Sequence, residues 1–117
     1  MSDVIVKCWV DKAKKRKPVA EWIAKLDDQS LNQIDKLLMM LRHEKKDLGM
    51  PYTRHLGGGL FELRDQRQKG PGYRLYYHWQ GDLIVILVIG GVKSSQDNDI
   101  RIARQRMRDE DEEDNNG

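Results

Sequence analysis

The sequence predicts an α+β domain in which a small, largely antiparallel sheet is flanked by helices in the order β-α-α-β-β-β-α. Apolar residues recur with helical spacing between Pro18 and Leu48, and the spacing changes to every second residue after Gly59. The 117 residues suffice for one ordinary domain, which we assign to residues 1–108. We expect an N-terminal α-hairpin and the C-terminal helix to pack on one face of the sheet.

The N-terminal half is predicted to contain one strand followed by the α-hairpin. Residues 3–10 read DVIVKCWV, a largely apolar and β-branched run that is typical of a buried strand. After a lysine-rich connector, Pro18 suits the first turn of a helix. Ser30 followed by Gln33 is a capping-box pattern, which predicts the start of a second helix. Gly49 indicates where that helix ends.

The C-terminal half is predicted to be an antiparallel meander that leads into a helix. LFELR at residues 60–64, YRLYYHW at 73–79 and LIVILVI at 83–89 each have strand character and are separated by turn-forming residues. Residues 99–108 carry apolar side chains at helical spacing among arginines, which predicts a basic amphipathic helix. We expect the acidic residues 109–117 to form a disordered tail.

The charge is unevenly distributed along the chain. Six of the 19 acidic residues lie consecutively from Asp109 to Asp114, so residues 1–108 hold all 21 basic residues against 13 acids and carry a net charge of +8. Such a basic domain is typical of a protein that binds a polyanion. A lysine-rich surface that only maintains solubility is the alternative interpretation.

The composition points to the cytoplasm. The one cysteine, Cys8, has no partner for an internal disulfide, and the N-terminus lacks the pattern of a signal peptide. The longest apolar run, residues 83–89, is too short to span a bilayer. We therefore predict a cytoplasmic protein without a membrane segment.

Two neighbouring strands are predicted to present polar side chains on one face. Because alternate residues of a strand point to the same side, the apolar face takes Tyr73, Leu75, Tyr77 and Trp79, together with Phe61 and Leu63 of the strand before. The opposite face is expected to be open to solvent and carries a polar set of five residues: Glu62, Arg64, Arg74, Tyr76 and His78. An ordinary surface ion pair is the alternative interpretation for Glu62 and Arg64.

The loops beside these strands add basic residues and glycines. Arg54 and His55 precede the run GGG, and Lys93 follows Gly90-Gly91. Glycines allow backbone N–H groups to approach a phosphate closely. We therefore predict that Arg54 and His55, together with His78 of the polar strand face, bind substrate.

This combination of residues suits RNA cleavage. A base removes the proton of a ribose 2′-hydroxyl, the oxygen attacks the adjacent phosphorus, and cations stabilise the negative charge that develops. Glu62 or a histidine can act as the base, Tyr76 can stack on a nucleotide, and Arg64, Arg74 and Lys93 can supply the positive charge. The sequence has no metal-ligand spacing and no phosphate loop of the Walker type. We therefore predict a metal-independent endoribonuclease without a cofactor.

Three motifs, GGGLFELR, GPGYRLYY and GGVKSSQDNDIRIA, together resemble the RelE/ParE superfamily of type II toxins. The similarity is greatest to its addiction-module killer branch, which is akin to the HigB toxins. The resemblance implies a RelE-like toxin fold, translation-dependent mRNA cleavage on the ribosome and an antitoxin partner. We also predict that operator DNA is a partner through the toxin–antitoxin complex. Arg74 matches the arginine of the GYR motif, and Lys93 lies where related toxins place basic active-site residues.

The chain departs from this pattern at three places. The strand before the GYR turn reads Leu60, Phe61, Glu62 where related ribonuclease toxins have lysines, and Asp99 and Ile100 stand near the position of a tyrosine. Val92 stands between the glycines and the lysine, where the killer branch often has an acid. Two alternatives therefore stay open. One is a ParE-like toxin that acts on DNA gyrase, and the other is a catalytically degenerate member that only binds its antitoxin.

Overall fold

A computed structural model describes the backbone of residues 3–116 and the side chains of residues 3–110. These described residues form five strands and three α-helices in the order β1-α1-α2-β2-β3-β4-β5-α3. The helices are α1 (Pro18–Ala24), α2 (Asp28–Glu44) and α3 (Gln96–Asn116). The strands are β1 (Ile5–Cys8), β2 (Thr53–Gly57), β3 (Leu60–Arg64), β4 (Tyr73–Gln80) and β5 (Ile84–Val92). The predicted α+β fold class is confirmed, and the architecture is compatible with a RelE-like toxin fold.

The five strands form one sheet in the order β1-β5-β4-β3-β2. Strand β1 pairs in parallel with β5, and the other pairs are antiparallel. The sequence prediction missed β2, whose residues Arg54 and His55 were assigned to a loop. This strand lies at the edge of the sheet and only Thr53 is buried, so its pairing with β3 leaves no alternating apolar signal in the sequence.

The α-hairpin packs on one face of the sheet and encloses the larger hydrophobic core. Ile34, Leu38 and Leu41 of α2 meet Leu63 and Leu75 of the sheet. Helix α2 begins after Asp27, whose carboxylate accepts a hydrogen bond from the backbone N–H of Ser30 at 2.8 Å. The cap is therefore Asp27, and the prediction that Ser30 begins the helix was wrong, since Ser30 already lies in the first turn.

Helix α3 packs on the opposite face of the sheet, which corrects the expectation that all the helices share one face. Its buried Ala103 contacts a second apolar cluster that includes Leu60 and Val88. Two arginines bind backbone carbonyls beneath the helix. Arg104 donates to the Leu56 oxygen at 2.9 Å, and Arg106 donates to the Val88 oxygen at 2.5 Å. A bulge in the pairing of β4 with β5 leaves Val88 without a partner residue on β4, so its carbonyl can accept this bond.

Helix α3 is also longer than predicted at both ends. It begins at Gln96 rather than near Asp99, and its backbone stays helical through Asn116, where the sequence predicted a disordered tail from Asp109. Glu110 binds His78 of β4 at 2.6 Å, which ties the start of the acidic segment to the sheet. Within residues 3–116, no helix has the length and apolar character needed to cross a bilayer.

Candidate functional site

Two arginines lie side by side where β3 and β4 pair. Arg64 is directly opposite Arg74, and Glu62 is opposite Tyr76, so the four side chains share the face that α3 covers. Like charges placed directly opposite each other destabilise a sheet. An arrangement that costs stability and concentrates positive charge is typical of a functional site.

Glu62 lies between the two arginines. Its Oε1 atom is 3.5 Å from Arg64 Nε and 3.8 Å from Arg74 Nε, while its Oε2 atom accepts a hydrogen bond from the Gln96 side chain at 2.5 Å. The Glu62 side chain is 1% exposed, the Arg74 side chain 7% and the Arg64 side chain 30%. One carboxylate thus neutralises one of two guanidinium groups, and the excess positive charge reaches solvent through Arg64.

The hydrogen bonds of this cluster are incomplete. In the described part of the chain, the buried side-chain polar atoms without a hydrogen-bond partner all belong to it: Glu62 Oε1, Arg64 Nε, Arg74 Nε and the Tyr76 hydroxyl. Burial and the nearby negative charges of Glu62 and Asp99 raise the pKa of Tyr76 well above its ordinary value, so its hydroxyl stays protonated. Buried polar groups are normally hydrogen-bonded, so four buried atoms that lack a hydrogen bond mark this cluster as adapted to something other than stability.

The Gly-Pro-Gly turn brings Lys93 to the same end of the sheet. The Lys93 backbone N–H donates to the Pro71 oxygen at 3.2 Å. Gly72 has a φ of +70°, and a β-carbon placed there would lie 3.1 Å from the Lys93 β-carbon and 3.7 Å from Arg74 Nη1. The turn therefore needs glycine at position 72, both for its backbone conformation and because the side chains of Lys93 and Arg74 lie close to this residue.

The first turn of α3 contributes residues that the sequence analysis did not assign to the site. Asp99 is buried, accepts a hydrogen bond from the Ser95 hydroxyl at 2.5 Å, and lies against Gly91. A β-carbon at Gly91 would lie only 1.9 Å from the Asp99 carboxylate, so glycine is required there. Burial raises the pKa of Asp99 above its usual range. Gln96 and Asp99 are three residues apart in a helix, a spacing that places both on one face and is the only sequence signal for them.

The structure separates the three residues predicted to bind substrate. Arg54 lies opposite Glu62 on the neighbouring strand and is exposed, so it extends the basic surface. His55 stacks on Phe61 with the ring centroids 4.6 Å apart, and Phe61 belongs to the hairpin face. His78 lies four residues from Arg74 along β4, a distance of about 13 Å in an extended strand, and binds Glu110 under α3. Only Arg54 therefore joins the arginine cluster.

The polar face was expected to be open to solvent, and the structure corrects this. Glu62 and Tyr76 are fully buried beneath α3, because this helix covers the face that sequence alternation assigned to solvent. The enclosed Glu62 carboxylate holds Arg64 and Arg74 in place and cannot meet a substrate hydroxyl in this conformation. The basic groups exposed to an incoming phosphate are Arg64, Lys93 and Arg54, and a phosphate reaches the nearly buried Arg74 only from the side of Arg64 and Lys93. Among the described residues, no cluster of histidine, cysteine or acidic side chains is arranged to hold a metal ion.

Comparisons with known proteins agree with this architecture. Residues 21–108 match the family described as phage derived protein Gp49-like (DUF891), a segment that includes α2, β2 to β5 and the basic part of α3. An uncharacterized protein of Haemophilus influenzae is 50% identical over 46 residues, which are 39% of this chain and 44% of that protein. This chain thus spans less than half the length of that relative. The family match covers most of the chain, and the chain belongs to the Gp49-like family of toxin–antitoxin toxins within the RelE/ParE-like superfamily.

Proposed function

We propose that this protein is the toxin of a type II toxin–antitoxin system, of the HigB-like branch, and cleaves mRNA on the ribosome. The Gp49-like family is associated with ribonuclease toxins. A basic body of residues 1–108 with a net charge of +8 suits contact with ribosomal RNA and mRNA. The proposed partners are a cognate antitoxin, the ribosome with its mRNA, and operator DNA through the toxin–antitoxin complex. The proposed location is the cytoplasm.

The observation that carries this proposal is the pair of opposed arginines beside Lys93. In the proposed reaction, the ribose 2′-hydroxyl gives its proton to a water molecule and its oxygen attacks the adjacent phosphorus. The bond from phosphorus to the 5′-oxygen of the next nucleotide breaks, a 2′,3′-cyclic phosphate forms, and the leaving 5′-oxygen takes a proton from solvent. Arg64, Arg74 and Lys93 stabilise the negative charge that develops on the phosphate oxygens. This role requires no metal ion.

In the proposal, the buried residues Glu62 and Tyr76 support the basic side chains and do not contact the phosphate. Glu62 is a positioning residue that orients both guanidinium groups through Oε1. The Tyr76 hydroxyl keeps its proton because its pKa is raised, so it can donate a hydrogen bond toward the cluster. Arg54 contacts a neighbouring phosphate along the RNA.

A second candidate is a member of the family that binds its antitoxin and cuts nothing. The burial of Arg74 and Glu62 favours this alternative, because a substrate phosphate reaches Arg74 only from the Arg64 and Lys93 side. A ParE-like action on DNA gyrase makes no use of the arginine pair. Because neither alternative makes use of the opposed arginines, we rank both below RNA cleavage.

The test is mapping of mRNA ends in a translating extract supplied with the purified protein. We expect Arg74→Ala to lower the cleavage rate by about 10²- to 10³-fold, the range found when one group that stabilises transition-state charge is removed. Arg42→Ala is the matched control, because Arg42 is exposed on α2 and its loss removes the same charge from the opposite side of the sheet. Cleavage on preformed ribosome–mRNA complexes should also persist after a divalent-metal chelator is added, provided the ribosomes stay intact.

Three outcomes contradict the proposal. Wild-type protein that leaves mRNA intact but blocks DNA supercoiling by gyrase points to the ParE-like alternative. Protein that affects neither process but binds its antitoxin supports the degenerate alternative. Equal losses of cleavage in Arg74→Ala and Arg42→Ala mean that overall charge, rather than the arginine pair, governs activity.

A further inference from the structure

A pocket of about 220 Å³ lies between α2 and the loop that precedes β2, outside the arginine cluster. Its floor includes the buried Leu37. Six further residues line it: Gln33, Lys36, Met40, Pro51, Tyr52 and Gln66. The pocket therefore combines an aromatic ring, a proline ring, a thioether, two amides and one positive charge.

Gln66, which lines this pocket, is hydrogen-bonded to the strand that carries Arg64. The Gln66 amide donates to the Arg64 carbonyl oxygen at 2.7 Å and to the Pro51 carbonyl oxygen at 2.8 Å. Met50, which precedes Pro51, lies with its sulfur 3.9 Å from Arg64 Nη1. The same loop thus contacts the Arg64 guanidinium on one side and forms the pocket on the other.

The lining has the chemistry that recognises an unpaired nucleobase. Flat and polarisable side chains such as Tyr52, Pro51 and Met40 provide surfaces on which a base can stack. Amide side chains donate and accept hydrogen bonds and can read the edge of a base. In the described part of the chain, the side chains of Gln33 and Lys36 take part in no hydrogen bond or ion pair, so both are available to a ligand.

We propose that this pocket binds one nucleobase of single-stranded RNA beside the phosphate held by Arg64, and thereby sets the sequence preference of the protein. The inference rests on the proposed function for the nature of its ligand. Lys36 at the pocket and Arg64 at the adjoining strand end place positive charge on two sides of the loop, as a strand of linked phosphates requires. Gln33 reads the base, and Lys36 contacts the backbone.

The first experiment maps cleavage sites over many mRNAs for two pairs of variants. Gln33→Ala should reduce the discrimination between bases at one position flanking the cut by about tenfold. Gln29→Ala should leave it unchanged, because Gln29 is an exposed glutamine of the same helix outside the pocket. Lys36→Gln should weaken cleavage at all sequences alike, whereas Arg42→Gln, with the same loss of charge from α2, should not.

The second experiment detects binding without cleavage. A single-stranded RNA with one photoreactive thiouridine, and with deoxyribose at the cleavage position, is crosslinked to the full chain at low salt. We expect crosslinks on the peptide that contains Tyr52, and we expect Gln33→Ala but not Gln29→Ala to reduce them. All these variants change surface side chains, and thermal unfolding of each protein verifies that it is folded.

The outcomes separate this inference from the proposed function. Cleavage with an unchanged sequence preference in Gln33→Ala, and crosslinks that miss Tyr52, would overturn the pocket while leaving the ribonuclease intact. Crosslinks at Tyr52 in a protein that cuts no mRNA would support the pocket and refute the ribonuclease. If Gln33→Ala binds the antitoxin more weakly than wild type but gives the same RNA crosslinks, the pocket is a protein-docking site and the inference is refuted.

Discussion

Adjacent tyrosines on β4 show how differently the two faces of the sheet are built. Tyr77 points into the core under the α-hairpin, where its hydroxyl is 2.7 Å from the Thr53 hydroxyl and burial raises its pKa to about 12. Tyr76 points toward α3 and is equally buried, yet its hydroxyl has no hydrogen-bond partner in the described part of the chain. On the hairpin face the buried tyrosine hydroxyl is therefore hydrogen-bonded, which favours stability. On the α3 face, buried polar groups near the arginines lack hydrogen bonds.

Among the substitutions that test this difference between the two faces, Glu62→Gln is expected to change the free energy of unfolding most. The change leaves two opposed arginines without a counter-charge and should lower the free energy of unfolding by about 1–3 kcal/mol. The cost stays below that of breaking a tight buried pair, because the two nitrogen–oxygen separations are 3.5 and 3.8 Å. Urea unfolding measures it.

The matched control for this change is Glu21→Gln. Glu21 pairs with Arg16 at the surface, so its replacement should leave the free energy of unfolding nearly unchanged. A Glu62→Gln protein as stable as the control would show that Glu62 does not balance the arginines.

An intermediate effect is expected from the two tyrosines. Tyr77→Phe leaves the Thr53 hydroxyl buried without a partner and should cost about 1 kcal/mol of unfolding free energy. Tyr76→Phe removes a hydroxyl that is already unpaired, so it should be neutral or stabilising in the same measurement while it slows RNA cleavage. The comparison fails if Tyr76→Phe destabilises the protein as much as Tyr77→Phe does.

The smallest effect concerns pH and Asp99. Burial raises the pKa of Asp99 above its ordinary value of 3.8, so the folded protein holds this proton at pH values where the unfolded chain has released it. Stability must therefore fall as the pH rises from 3.8 through the pKa of the folded state. Asp99→Asn lacks this contribution but can still accept the Ser95 hydrogen bond.

The measurement is the free energy of unfolding of both proteins as a function of pH. Because the other carboxylates contribute equally to both, their effect cancels in the difference. We expect Asp99→Asn to gain stability relative to wild type as the pH rises through this window. A constant difference would show that Asp99 carries no buried charge.

Sequence periodicity predicted which strand residues share a face but not what covers each face. The alternation that placed Glu62, Arg64, Arg74 and Tyr76 together is present in the structure. Alternation carries no information on whether such a face meets solvent or a helix. Helix α3 was predicted to be basic and amphipathic, but its sequence does not reveal that two of its arginines bind backbone oxygens of the sheet.

Three other features of the structure could not be predicted from the sequence, each for a different reason. The pairing of β2 depends on main-chain hydrogen bonds to β3, which leave no trace in the side-chain pattern of an exposed edge strand. The roles of Gln96 and Asp99 depend on where α3 begins, and helix ends are the least certain part of any sequence-based assignment. The pocket beside α2 depends on a contact between segments far apart in the chain, which composition and periodicity do not encode.

The way α3 is attached bears on how this protein tolerates mutation. Arg104 and Arg106 hold the helix through carbonyl oxygens at positions 56, 57 and 88, and every amino acid supplies a carbonyl. Substitutions at Leu56 or Val88 can alter packing without removing these bonds, whereas loss of either arginine removes them at once. The attachment of the helix therefore depends on two arginine side chains and not on which side chains stand at positions 56, 57 and 88.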